Sequence, residues 1–265
     1  METYSDVLRY RELLGNLFRR DLQAKYRGSA LGVLWTVANP IMLMGVYLLV
    51  FGVVWKSNFA TIDHYPLFLL TGLALWTFFA AAVQSSTRSM LDNANLIRKT
   101  RFPRQLVPLS VVFAHLVSFA VMLSVLLVVN FIALPRVRAT EWLALPLAVL
   151  FVGLVCGIAL ALASLNVLFR DIEFIVAALL VPLFFLTPIL YSLTGAELAK
   201  HRHVVEVIHW VNPLSPAIEA MRAPLFAGTL PHWTDALYLV VACTLALAVG
   251  ALVFRSVDDQ IAIEV

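Results

Sequence analysis

The sequence predicts an all-α membrane protein with six transmembrane helices, an N-terminal amphipathic interface helix, and short outer-leaflet helices between spans five and six. Three observations lead there. Of 265 residues, 62% are hydrophobic and 13% charged, with a mean hydropathy of +0.90, which excludes an ordinary soluble fold. Six runs of roughly 19 to 29 residues carry no Asp, Glu, Lys or Arg, and each is long enough to cross a hydrocarbon core of about 30 Å at about 1.5 Å per residue. The intervening pieces hold a few to about forty residues, short of the roughly 100 to 150 of a soluble catalytic domain. The chain divides into a cytoplasmic amphipathic segment, 1–30, and a six-span membrane domain, 31–265.

The first element follows from periodicity. Tyr10, Leu13, Leu14, Leu17 and Phe18 recur at helical spacing, while Arg9, Glu12, Asn16, Arg19 and Arg20 take the other face. Such a helix is expected along the cytoplasmic headgroups. Residues 1–30 hold six Lys or Arg and four acids but no apolar stretch of the signal-peptide kind, so the first apolar run is expected to be a retained span.

Spans are expected at about 31–55, 66–84, 106–134, 143–168, 174–193 and 236–254. Assigning alternate connecting segments to opposite sides splits the 19 basic residues into 13 and 6. The richer side is cytoplasmic, which puts both termini inside. Cys156 and Cys243 fall within apolar runs and read as packing residues. Gly153, Gly157 and Ala161 recur every four residues and allow close helix approach, more readily within one subunit than between two. Pro40, Pro182 and Pro188 interrupt spans one and five and free carbonyls that need other partners. The aromatics Tyr47 and Phe51 on span one, with Phe184, Phe185 and Tyr191 on span five, fit packing, lipid contact or the wall of a passage.

Between spans two and three, residues 89–105 (SMLDNANLIRKTRFPRQ) offer Asp92 or Asn93 as a helix cap, a short helix ending in Arg98 and Lys99, and a stop before Pro103. This reads either as a docking element or as a solvated basic loop. Asn166, Arg170, Asp171 and Glu173 form a second polar knot at the ends of spans four and five. In the outer loop, Ser215 and Pro216 start a helix that Pro224 stops near Ala223, and Val204, Val205, Val207, Ile208, Trp210 and Val211 before it suit helices that cap the bundle at the outer leaflet.

Several chemistries are disfavoured. His115 is the one ionisable residue inside the expected spans, whereas an ion-driven transporter needs such groups at membrane depth. No Gly-x-x-x-x-Gly-Lys-Ser/Thr string is present; the nearest fragment, Gly195 to Lys200, lacks the second Gly. A nucleotide motor must then be a separate protein. His201, His203 and His209 with Glu206 read better as solvated loop residues than as a zinc site. No Gly-x-Ser-x-Gly motif supports a hydrolase.

Five strings, RRDLQAKYRGSALGVLWTVANP (19–40), NANLIRKTRFPRQLVPLS (93–110), LNVLFRD (165–171), TPILY (187–191) and NPLSP (212–216), resemble the membrane permease of type-2 ABC exporters of lipid-linked polysaccharides, a group that spans O-antigen, capsule, teichoic acid and galactan exporters. The resemblance implies a permease that is not itself an enzyme and holds no cofactor, with ATP and Mg bound by the partner. It further implies a homodimer with two cytoplasmic ATP-binding subunits, a lipid-linked glycan as substrate, surrounding membrane lipids, no nucleic acid, and a multi-pass place in the bacterial inner membrane. It assigns Arg19, Arg20, Asp21, Tyr26 and Arg27 to the interface helix. Asn93, Leu96, Ile97, Arg98, Lys99 and Arg101, with Arg170 and Asp171, would couple to the ATPase, and Tyr47, Phe51, Phe184, Phe185 and Tyr191 would line the channel. A drug or lipid exporter of the same type, or a membrane-embedded transferase, are the rival readings.

Overall fold

The computed structural model describes residues 10–29, 31, 32, 34–50, 62, 64–100, 102–192 and 202–264. In chain order its helices are α1 Arg11–Tyr26, α2 Leu34–Tyr47, α3 Tyr65–Asp92, α4 Ala94–Lys99, α5 Leu106–Ala133, α6 Ala144–Leu168, α7 Asp171–Leu186, α8 Arg202–Val211, α9 Leu214–Arg222 and α10 Trp233–Glu264, with no strand among the described residues. The all-helical expectation is met, and four stretches are long and apolar enough to cross a membrane: Tyr65–Asp92, Leu106–Ala133, Glu141–Leu168 and Trp233–Asp258.

The segment expected as span five is shorter: α7 has 16 residues, or about 24 Å of rise, less than a hydrocarbon core of about 30 Å. Helix α2 runs on through a π-helical turn to Val50, where the described residues stop. Helix α7 ends at Leu186 because Pro188 brings no N–H to the next turn. The end of the expected first span, Phe51 included, lies outside the described residues. Helix α3, by contrast, overruns the expected boundary at 84 and reaches Asp92. Its last two turns are polar but remain helical, with the Ser86 and Thr87 hydroxyls donating to the Val83 carbonyl (3.1 and 2.8 Å) and Ser89 donating to Ser86 (2.6 Å). Loss of apolarity there marks the edge of the bilayer and not the end of the helix.

Helix α3 is the pillar of the bundle. In its apolar window 67% of residues are buried, against 22% in α10, because α2, α5, α6, α7 and α9 all pack against it. Leu69, Leu73, Leu75, Phe78 and Ala82 of α3 enter the main core with Phe119 of α5 and Phe151 and Leu154 of α6. The rings of Phe78 and Phe119 stack at 4.7 Å. A second core, at the Asp92 end of α3, joins Met90, Ile97, Val107, Leu160, Val167 and Phe254.

The most extensive pairing is α6 on α10, and small residues set its spacing. A Cβ on Gly157 would lie 2.2 Å from the Ala246 backbone, and one on Gly250 the same distance from the Gly157 carbonyl oxygen. The four-residue repeat of Gly153 and Gly157 thus packs within the subunit, and Cys243 fills the space over Gly153. Of the two short helices before α10, α8 is largely exposed, with Val207, Trp210 and Val211 open, and α9 is buried along nearly its whole length, from Leu214 to Ile218 and again at Ala220, Met221 and Arg222. Its N-terminus is capped by Asn212, whose Oδ1 accepts from the Leu214 amide at 3.0 Å, while the Ser215 hydroxyl finds no partner among the described residues.

Backbone cannot retreat as a side-chain tip can, so the two glycines should differ. Gly157→Ala is expected to lower stability by about 1 to 3 kcal/mol through overpacking, and Gly153→Ala, which meets only the Cys243 sulfur at 2.6 Å, by less. Thermal unfolding of the two purified variants checks the order; equal midpoints would mean that α6 and α10 separate freely.

Candidate functional site

Three regions carry the functional geometry, and the outermost rests on Arg222. This residue is 3% exposed. Its guanidinium donates to the Pro188 carbonyl, to Ile189 at 2.8 Å and more weakly to Phe68 at 3.5 Å, and it meets Glu219 at 3.3 Å. It lies 3.6 Å over the Phe68 ring centroid. Gly72 leaves the space, since a Cβ there would come 2.6 Å from Nη2. Around it the broken end of α7 is satisfied group by group: Tyr65 donates to Leu190 (2.7 Å), and Asn212 donates to the Thr187 hydroxyl (2.8 Å), which itself donates to Leu183 (2.6 Å). Sequence reading counted Arg222 only as a basic outer-loop residue. The available signal was an Arg among apolar residues with Glu219 three positions earlier on the same helical face.

The second region is a groove of about 450 Å³ between α2, α3 and α7, walled by Tyr47, Trp76, Phe184, Phe185 and the polar Asn39 and Thr77. Phe184 is held between two rings, stacked on Tyr47 at 5.7 Å and edge-on to Trp76 at 5.3 Å, and is buried, whereas its neighbour Phe185 is exposed. Of the five aromatics singled out, Tyr47, Phe184 and Phe185 come together here. Tyr191 stands apart, its hydroxyl shared between the Phe185 and Leu186 carbonyls (both 3.3 Å) at the end of α7, and Phe51 is outside the described residues. Trp76 was missed because it sits in the span that reads as core.

The third region lies at the other end of α3, around Asp92. Helix α4 follows α3 directly, and a depression of about 540 Å³ beside it is lined by Arg88, Leu91, Ala94, Arg98, Arg170, Glu173 and Phe174, so the two polar loops meet. Arg88 joins them with bonds of 3.0 Å to both Asp92 and Glu173. The buried Asn166 accepts from the Glu173 amide at 3.0 Å and so caps α7. Neither expected cap of α4 acts as one: Asp92 pairs with Arg88, and the Asn93 amide donates back to Ser89 at 2.8 Å. Ile97 is turned inward, 7% exposed in the second core, Leu96 is half-buried, and Arg98 and Lys99 face out. Asp171 is exposed in the first turn of α7, as is Arg170 before it. Arg101 is outside the described residues.

Helix α1 lies against α5 with Leu17 buried, and its far end is tied to α5 by side-chain hydrogen bonds. Asp21 accepts from Ser110 at 2.7 Å while also pairing with Arg20 (2.7 Å); four residues on, Lys25 reaches Ser118 at 2.6 Å and His115 at 3.1 Å, and Tyr26 meets Ser118 at 2.8 Å. Arg19, Arg20 and Arg27 are exposed. Lys25 stays exposed, and partial desolvation of its ammonium against α5 pulls it down to about 8. His209, in the outer helices, pairs with Asp235 at 2.9 Å, His203 is exposed, and no three His, Cys, Asp or Glu side chains converge on a metal-sized site among the described residues.

Residues 12–226 match the ABC-2 type transporter family. The O-antigen export system permease protein RfbA of Myxococcus xanthus is 34% identical over 259 residues, covering 97% of this chain and 96% of that one. A permease of the same name from Klebsiella pneumoniae is 33% identical over 226 residues, 83% of each chain. The polysialic acid transport protein KpsM of Escherichia coli is 24% identical over 253 residues, 92% of each.

Arg222→Met should strip the Pro188, Ile189 and Phe68 carbonyls of their donor, at about 1 to 3 kcal/mol for each one left unsatisfied. The expected result is a clearly lower unfolding temperature in detergent and faster proteolysis between α7 and α8. An unchanged midpoint would show that the break in α7 supports itself.

Proposed function

The chain belongs to the ABC-2 type transporter family, and from that premise we propose that it is the membrane permease of an ATP-driven exporter of a lipid-linked polysaccharide of the O-antigen kind. The observation that carries this is a likeness over 97% of the chain to an O-antigen export permease. The aromatic groove agrees with it, because the C–H faces of sugars lie well against aromatic rings. ATP is hydrolysed on separate cytoplasmic subunits, two of them serving two copies of this chain, and Mg travels with the nucleotide. The assembly sits in the bacterial inner membrane with both termini cytoplasmic, a reading supported by the 13 to 6 division of basic residues.

In this reading six crossings are completed by α2 and α7, the shorter helices that carry the groove, and the passage forms where two copies bring those helices together. The motor seats on the depression between α4 and the start of α7. Because Ile97 already packs inside this chain, the ATPase contact falls to Arg98, Lys99, Arg170 and Asp171, and α4 transmits force through its own core.

Depleting the protein in cells should leave lipid-linked glycan on the cytoplasmic side. Phe185→Ala should lower export several-fold with assembly and ATP hydrolysis retained, and Tyr47→Ala should do the same. Phe184→Ala should also destabilise the chain, by about 3 to 5 kcal/mol for a buried ring. Normal export in both the Phe185 and Tyr47 variants would remove the groove from the passage, and normal glycan display on depletion would favour a drug or lipid as cargo.

For coupling, Arg98→Glu combined with Lys99→Glu should release the ATPase in pull-down while the permease accumulates normally. Ile97→Asp should instead reduce the folded permease itself. Retention of the ATPase by the double variant would move the seat towards Arg170.

A further inference from the structure

A cavity of about 340 Å³ opens where α1, α2, α3 and α5 meet, separate from the aromatic groove, with Lys25 at its polar end. Only its polar end is near the charged end of α3: Ser85, which meets His115 at 3.1 Å, is about 4.5 Å along the helix from Arg88, whereas the α3 lining runs deeper, from Ala81 to Ala74. A lipid with its phosphate at the polar end would thus lay its chain along the apolar length of the cavity.

The polar end presents donors. Lys25 spends one N–H on Ser118 and one on His115 Nδ1, which leaves His115 to donate through Nε2 to Ser85. An ammonium has three such hydrogens, and among the described residues no carboxylate lies within ion-pair distance of Lys25. Ser118 and Tyr26 share one hydrogen bond, so one of their two hydroxyl protons is spare. Ser29 accepts from the Gly32 amide at 3.0 Å and keeps its own proton to give. Three donors and a positive charge with no counter-anion fit a group rich in acceptor oxygens. The far wall, with Trp35, Phe119 and Met122, suits hydrocarbon and would offer nothing to a free inorganic ion.

We propose that this cavity binds the phosphate of a membrane lipid in the cytoplasmic leaflet, with Lys25, Tyr26, Ser29 and Ser118 as its ligands. The assignment stands apart from the export reading, since binding is scored without transport.

The test is native mass spectrometry of the full chain purified in detergent and titrated with dilauroyl phosphatidic acid. The wild type should take up a single lipid per chain. Lys25→Gln should weaken uptake about tenfold, as expected for loss of a charge-assisted contact, and Lys25→Arg should restore most of it. Tyr26→Phe and Ser118→Ala should give intermediate losses, with gel-filtration profiles reporting that each variant is folded. A polyprenyl monophosphate that displaces phosphatidic acid would identify a carrier lipid as the preferred source, and failure to displace it an ordinary phospholipid; either supports the site. Uptake unchanged in Lys25→Gln, or equal uptake of phosphatidylcholine, overturns it. Full displacement by millimolar inorganic phosphate overturns the lipid assignment in favour of a free anion.

Discussion

One end of this helical bundle depends on one guanidinium. A helix that breaks in apolar surroundings releases carbonyls with no water to receive them, and each must be met from within the protein. Arg222 meets two of them from α9 and touches α3 as well, so a single side chain joins a buried helix, the broken end of α7 and the central pillar. The surrounding features follow from its size and charge. Gly72 gives up a side chain to admit it, the Phe68 ring provides an electron-rich face beneath it, and Glu219 offers partial compensation. Tyr65 and Asn212 complete the hydrogen bonding at positions it does not reach.

What the sequence made legible was governed by composition and period. The four long apolar helices were found because a run of that length without charge is at home in few settings besides a bilayer, and the glycine repeat at 153 and 157 foretold close packing because no other residue permits it. The partner surface on α10, Gly250 and Ala246, gave no comparable signal. Boundaries failed where the chain left the membrane without leaving the helix, as at Ser86 to Asp92. Caps failed because several polar residues compete for each helix start: Asn212 took the position expected of Ser215, and Asn93 turned back to Ser89 instead of forwards.

Site residues were legible as clusters and less so as orientations. The two polar loops do converge, through Arg88 and Glu173, yet only the folded chain distinguishes Ile97, which faces the core, from Arg98 and Lys99, which face out. Among the aromatics, Tyr47 and Phe184 were visible as spaced rings on Pro-interrupted segments, whereas Trp76 meets Phe184 edge-on from a span that otherwise looks like packing. Arg222 was the largest omission. A positive-inside count treats every arginine as a topological marker and has no means of recognising one that is folded inward.

Helix α3 passes all three regions in a single uninterrupted rod: its outer end is pinned near Gly72, Trp76 stands four residues on, and Asp92 ends it beside α4. Distances along it are about 6 Å from the pin to Trp76 and about 30 Å from the pin to Asp92. An unbroken helix has no joint in which to absorb a displacement, so the arginine cluster, the aromatic groove and the depression beside α4 share one frame of reference, and none of the three can shift along the helix axis without the others.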